Sequence, residues 1–144
     1  MGVGALLFNP QGELLIVKTS YKNYWSTPGG AVDKDESPRA ACIREVKEEV
    51  GVDVGRLRLV SMDYCSKHDE KDESLQMIFD GGVLTETQIS GIRLAEGEID
   101  AHQFVSIGRA QELLGPRQSK WLPLCLDAIK NNTFAYLEDL VPVG

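Results

Sequence analysis

The stretch REVKEEVG, residues 44 to 51, sets Arg44 beside Glu45, Glu48 and Glu49. On a helix turning 100° per residue, with Ile43 at zero, the three glutamates fall at about 200°, 140° and 240°, an arc of roughly 100°. The same wheel predicts an apolar stripe of Ala40, Ile43, Val46 and Val50, with the carboxylates opposite it. Like charges spaced three or four residues apart cost roughly 0.2 to 0.5 kcal/mol per pair, and only Arg44 and Lys47 lie near enough to relieve them. A divalent cation removes the conflict. Mg²⁺ suits such a set because it is a hard ion that takes oxygen ligands, keeps several waters and bridges one or two carboxylates to phosphates. Taken alone, such residues are more often a solvated acidic helix face.

The surrounding spacing decides between these readings. Gly30 is followed after five residues by Glu36, and after seven more by Arg44-Glu45-Val46-Lys47-Glu48-Glu49-Val50-Gly51-Val52. This resembles the Nudix box, GX5EX7REUXEEXGU with U aliphatic, at every defined position. Its seven fixed positions have a chance probability on the order of 10⁻⁸ per window at average residue frequencies. The resemblance implies an α/β fold, an α/β/α sandwich with a mixed central sheet, in which the box forms a loop, helix and loop. It implies that Glu45, Glu48 and Glu49 hold the metal, Mg²⁺ with Mn²⁺ as a substitute, and that the carbonyl of Gly30 joins them. Arg44 is then the partner that orients a neighbouring glutamate and keeps it ionised. Glu36 and Gly51 support the box from either end of the helix, Glu36 through its charge near the helix N-terminus.

The activity implied is pyrophosphohydrolysis, the cleavage of a nucleoside diphosphate linked to another moiety. Neutralising the phosphate oxygens admits a water that a polyanion otherwise repels. A glutamate serves as general base. Glu45 is one candidate, and the downstream LAEGEIDA supplies Glu96 and Glu98, of which Glu98 is preferred as an additional base or metal residue. Trp25 and Tyr24 are candidates to stack on a nucleobase, with burial against the sheet edge as the competing role. Lys18 and Lys22 are candidate phosphate contacts. His68 and His102 are too few for a zinc set, and no GxSxG motif is present. The GVG of residues 2 to 4 is an incomplete dinucleotide fingerprint with no helix after it.

Side motifs that subdivide the family are missing. No proline follows the box by about 15 residues, as in ADP-ribose hydrolases; Tyr64 comes too early for the dinucleoside polyphosphate hydrolases; the SQPWPFPxS array and the coenzyme A signature are absent. Nucleoside di- or triphosphates are the substrate class that remains. Two alternatives stand beside it: a non-catalytic nucleotide-binding or regulatory module of the same fold, and an RNA 5′-end hydrolase.

These residues need elements to carry them. VGALLF and ELLIVK read as a hairpin around NPQG, and TSYKNYWSTPGG as a loop that delivers side chains to a cleft. Ser37 as N-cap, Pro38 at the first helical position and Gly51 as a left-handed stop predict a helix over 38 to 50. RLRLVSMDYC and LQMIFDGGVL read as a second hairpin across the charged SKHDEKDES. AHQFVSI reads as another strand, followed by a short helix at GRAQELLG. From Pro116 a longer helix buries Trp121, Leu124 and Ile129, with Pro123 expected to kink it or delay its start. FAYLEDLVPV reads as a returning strand.

The 144 residues suit one domain over 1 to 144, with 42 % hydrophobic and 26 % charged content typical of a globule. A net charge of −7 argues against nucleic acid and anionic membrane as partners, since both need clustered Lys and Arg. A small-molecule nucleotide is the expected partner, received through the cation, and the family resemblance leaves a homodimer open. Cys42, Cys65 and Cys125 are odd in number and sit in apolar runs, so reduced core thiols are expected. The absence of a basic n-region before the first apolar run, and of an 18-residue apolar stretch, points to a cytoplasmic location.

Overall fold

The computed structural model describes residues 1 to 143. Strand β1, Gly2–Phe8, turns back as β2, Leu14–Thr19, through Asn9, whose Oδ1 accepts from the amides of Gln11 at 3.1 Å and Glu13 at 2.8 Å. This side chain closes the turn as a backbone carbonyl would. Two short strands follow, β3 (Trp25–Ser26) and β4 (Gly29–Ala31), within the stretch expected to be only a loop. Each is too brief to show a hydrophobic alternation, and β4 is held by antiparallel pairing to β1.

Helix α1, Pro38–Val50, has the predicted bounds: Ser37 Oγ accepts from the Ala40 amide at 3.1 Å, and Gly51, at φ 74°, donates to the Lys47 carbonyl. Its buried face differs from the one expected. Ala41, Cys42, Val46 and Val50 are buried, while Ala40 is exposed and Ile43 only half-buried. The helix is rotated so that the row of Ala41, Glu45 and Glu49 also turns toward the sheet, where β4 offers glycines instead of side chains.

Beyond it come β5 (Arg58–Cys65), β6 (Ser74–Val83), α2 (Glu86–Ser90), β7 (Ile99–Val105), α3 (Ile107–Leu113), α4 (Pro116–Asn131), β8 (Ala135–Glu138) and β9 (Val141–Pro142). The five-residue α2, unanticipated, has a capping box between Thr85 and Gln88 and no buried residue, so it carries no apolar period to read. Helix α4 begins at Pro116 without delay; Pro123 lies inside it on an exposed position, where the carbonyl that loses its partner can face water. Its core contacts are Trp121, Leu122, Cys125 and Ala128, while Leu124 and Ile129 are only half-buried.

The main path of the sheet runs β3-β2-β1-β6-β5-β8-β9, with β4 added to β1 and β7 to β2. It is mixed, since β1 pairs β6 and β5 pairs β8 in parallel while the other strand pairs are antiparallel. Alternation along the strands divides two cores. Val3, Ala5, Leu7, Leu15, Val17, Met77 and Phe79 pack with α1 on one face. Leu6, Leu14, Ile16, Val60 and Ile78 pack with Trp121, Leu122, Cys125 and Ala128 of α4 on the other. The result is the expected α/β/α sandwich. Each fully buried Leu or Ile contributes roughly 1.5 to 3 kcal/mol from desolvation, so both layers are firmly held. Cys42, Cys65 and Cys125 are all free and buried. Among the described residues, no helix is long and apolar enough to cross a membrane.

Candidate active site

Arg44 is the hub of the acidic helix. Its Nε donates to Glu36 Oε2 at 2.8 Å and its Nη2 to Glu36 Oε1 at 2.9 Å, a two-pronged grip. Nη1 reaches Glu45 Oε1 at 2.8 Å and Glu48 Oε2 at 3.3 Å, and Nη2 also donates to the Ala31 carbonyl at 3.1 Å. One guanidinium thus spans the approach loop, β4 and two turns of α1. The Arg44 hydrogen bonds hold the Glu36 carboxyl below its usual range, and the same contacts push the Arg44 proton affinity up. Glu45 moves the other way: burial raises it, and the Arg44 contact only partly compensates.

Glu49 has no such cation in contact. Its Oε1 accepts from the Gly29 amide at 3.0 Å, while burial, with Glu45 and Glu98 adding like charge, pushes its carboxyl up to about 7. The Gly29 hydrogen bond and the more distant Lys22 pull it back in part. Gly29 admits no side chain, and at Gly30 one would force the Glu45 carboxylate to shift. A Cβ on Gly29 would collide with the Val3 carbonyl, and one on Gly30 would sit 2.6 Å from Cδ of Glu45. The pair therefore makes a cradle in which two carboxylates lie against backbone.

Glu98 joins the site from downstream. The Arg93 and Ala95 amides donate to the Val50 and Glu49 carbonyls at 2.9 and 3.1 Å, satisfying the end of α1, and the Ser20 amide donates to the Glu98 carbonyl at 2.9 Å. These bonds hold Glu98 near enough to add like charge at Glu49, while its exposed side chain stays outside the cleft lining.

A cleft of about 350 Å³ opens beside the cradle, lined by Gly29, Gly30, Glu49, Lys22, Gln118 and Trp121 among others. A second hollow continues from it past Tyr24, Lys71 and Arg117. Of the two lysines singled out, Lys22 lines the cleft; Lys18 does not, because its Nζ is taken by the carbonyls of Thr19 and Lys22. Trp25 also stays out of the cleft, half-buried against the α4-side core with its carbonyl bound by the Gly115 amide. Tyr24 stands over Gly115 at the second hollow, with Lys22 Nζ 5.7 Å from its ring centre. His68 sits in the loop between β5 and β6, and His102 on β7.

Thr19, Gln76 and Gln118 line the cleft and were not anticipated. A faint signal existed in GVG: Gly2 and Gly4 carry no side chain on the α4 side of β1, where the Gln76 amide fills the space over Gly2, and their spacing of two is a strand period.

Among the described residues, no three His, Cys, Asp or Glu side chains converge as a ready-made metal cage. The donor set nevertheless fits a divalent cation. Glu36, Glu45, Glu48 and Asp33 share one guanidinium, and Glu49 and Glu98 add charge that no direct cation contact offsets. An ion that takes one or two carboxylates, water and substrate oxygens suits this open arrangement.

A family model described as NUDIX domain matches residues 1–125. The chain is 42 % identical over 59 residues to an RNA pyrophosphohydrolase of Hahella chejuensis, covering 41 % of this chain and 37 % of that protein. It spans little more than a third of the length of the curated relatives it matches first. Among solved structures, a MutT protein from Methanosarcina mazei superposes with a TM-score of 0.73 at 23 % identity, over 90 % of this chain and 94 % of that one. An ADP-ribose pyrophosphatase from Streptococcus suis superposes with a TM-score of 0.67 at 26 % identity, over 96 % and 97 %.

Proposed function

The chain belongs to the Nudix family, and on that premise we propose that it hydrolyses the phosphoanhydride of a nucleoside diphosphate linked to another group, a nucleoside di- or triphosphate first among them. The observation that carries this reading is the carboxylate cradle of Glu45 and Glu49 against Gly29–Gly30, opening on a cleft of nucleotide size.

Nudix hydrolases generally use divalent metal ions. For this chain the ion is Mg²⁺, with Mn²⁺ as substitute, and Glu45, Glu48, Glu49 and the Gly30 carbonyl would hold it. When bound, it supplies positive charge for the phosphate oxygens and for the attacking water. Arg44 fixes the rotamers of Glu45 and Glu48 and anchors them through Glu36. Glu49 and Lys22 line the same cleft, so a phosphate chain lying there meets an ammonium as well as the carboxylate. Glu45 and Glu98 are the candidate bases for the proton taken from water.

A second reading rests on the relatives named RNA pyrophosphohydrolase. The hollow lined by Lys71, Arg117 and Tyr24 extends the cleft and would serve a longer polyanion. A panel of nucleoside di- and triphosphates, nucleotide sugars, ADP-ribose and 5′-triphosphorylated RNA, each with and without Mg²⁺, separates the two. Free nucleotides turned over faster than RNA support the first reading. A preference for RNA that weakens steeply with salt replaces it with the second. Nucleotide binding with no turnover of any member would point to a regulatory module.

A further inference from the structure

We propose that a third hollow, at the far end of the sheet from the cleft, is a second ligand site that takes a phosphate group through Arg39 and Arg56. The site stands apart from the cleft and does not require that the cleft hydrolyse anything.

This hollow, of about 640 Å³, lies where the start of α1, the loop between α1 and β5 and the end of β6 meet. It shares no lining residue with the cleft or with the hollow that extends it. Strand β6 touches both ends, the cleft at Gln76 and Ile78 and the third hollow from Asp80 onward. At about 3.3 Å per residue, Gln76 and Gly82 stand roughly 20 Å apart.

Its charge runs against that of the chain. Arg39, Arg56 and Arg58 line it with Asp80 as the one carboxylate, whereas the whole molecule carries −7. Asp80 does not neutralise them: its Oδ1 accepts from the Gly82 amide at 2.9 Å, and it joins no ion pair among the described residues. Arg58 is occupied elsewhere, donating to the Thr133 carbonyl at 3.1 Å and the Ala128 carbonyl at 3.3 Å. Arg39 and Arg56 are exposed and, among the described residues, pair with no carboxylate, although Asp and Glu outnumber Lys and Arg by 22 to 15. Arg39 is also the second residue of α1, where a cation opposes the helix dipole. Two unpaired guanidinium groups brought to one concavity repel each other, and a bound anion offsets that cost. Phosphate is the anion that suits them, since each planar fork donates in pairs to its oxygens. Between them in the lining, Gly55 has open space where a Cβ would stand, so an anion can approach the backbone there. Val83, 63 % exposed, adds an apolar wall against which an ester group on the phosphate can lie.

The test is a titration of the intact chain with inorganic phosphate, adenosine 5′-monophosphate and adenosine, followed through the backbone amide signals in NMR spectra. Phosphate and the monophosphate should shift the amides of Gly55 and Gly82 to saturation, and adenosine should not. A tighter Kd for the monophosphate marks a site for an ester, and an equal Kd marks one for the free anion. The amides of Gly29 and Gly30 report the cleft in the same spectra, so binding there is seen separately. Arg39→Glu and Arg56→Glu should each weaken binding at Gly55 and Gly82 by about 10 to 100-fold, as the loss of hydrogen bonds to a charged group does; Arg56→Lys should weaken it less. Arg109→Glu changes the net charge equally on another face and should leave it unaltered. Thermal melting checks that each variant is folded. Shifts confined to Gly29 and Gly30, no saturable shift at Gly55 and Gly82 across the millimolar range, the same shifts with adenosine, or a Kd unmoved by both glutamate variants would each overturn the proposal.

Discussion

The amide of Gly29 donates to the Glu49 carboxylate over 3.0 Å and so ties the first residue of β4 to the last turn of α1. This bond, with Gly30 lying against Glu45, is why two charged side chains sit on the sheet side of the helix instead of pointing to water. It implies that the glycines act on the site through space. Gly30→Ala should displace the Glu45 carboxylate and lower turnover by about 10 to 100-fold, as expected when a preorganised charge is moved. Initial rates beside a thermal melt check this. A variant within threefold of the wild type would show that the cradle is not needed.

Arg44 should be irreplaceable by lysine. Its fork holds Glu36 at two points while reaching Glu45 and Glu48, a geometry that a single ammonium does not reproduce. Arg44→Lys should lower the urea midpoint, since the Glu36 and Glu45 carboxylates it leaves unpaired are partly buried. The Mg²⁺ concentration needed for half-maximal rate should rise as well. Equal stability would show the network to be ordinary surface pairing.

Glu49 sets a pH dependence in metal-free buffer. Its folded carboxyl titrates at about 7 against an ordinary value of 4.5, so between these values the folded chain holds more protons than the unfolded one. The associated stability is fully present below about 4.5 and is lost as pH rises to about 7. Denaturation at a series of pH values, wild type against Glu49→Gln, should show a larger loss in the wild type. Parallel curves would mean that Glu49 titrates normally. Added Mg²⁺ should shrink the loss, because it favours the charged carboxylate.

The thiols should be inert. Burial pushes Cys42 and Cys125 up to about 12 and raises Cys65 too. At pH 8 a thiol reagent should label none of the three over minutes in the folded protein and all of them in urea. Rapid labelling of one in the native state would mark local opening at that residue.

Much of this molecule was readable from residue types because local chemistry dictated it. Ser37, Pro38 and Gly51 bracket α1, and the box spacing names the acidic residues. The orientation of α1 was not readable, since the helical wheel assumes that charge faces water. Here the partner surface is glycine, which accepts a carboxylate that a side-chain-covered strand would reject. Lys18 was placed by type alone and proves to be occupied by two backbone carbonyls, while its neighbour Lys22 lines the cleft. Gln118 lies 91 residues from Thr27, the residue that orients it, and no local pattern carries that relationship.

The central claim is that the acidic face of α1 performs metal-dependent anhydride hydrolysis. The most direct measurement is the rate of phosphate or pyrophosphate release, with and without Mg²⁺, from the best substrate in wild type, Glu48→Gln and Glu49→Gln, each shown to be folded. The account predicts strict Mg²⁺ dependence and a loss on the order of 10²-fold or more in each variant. Rates and metal optimum unchanged by either substitution would contradict it.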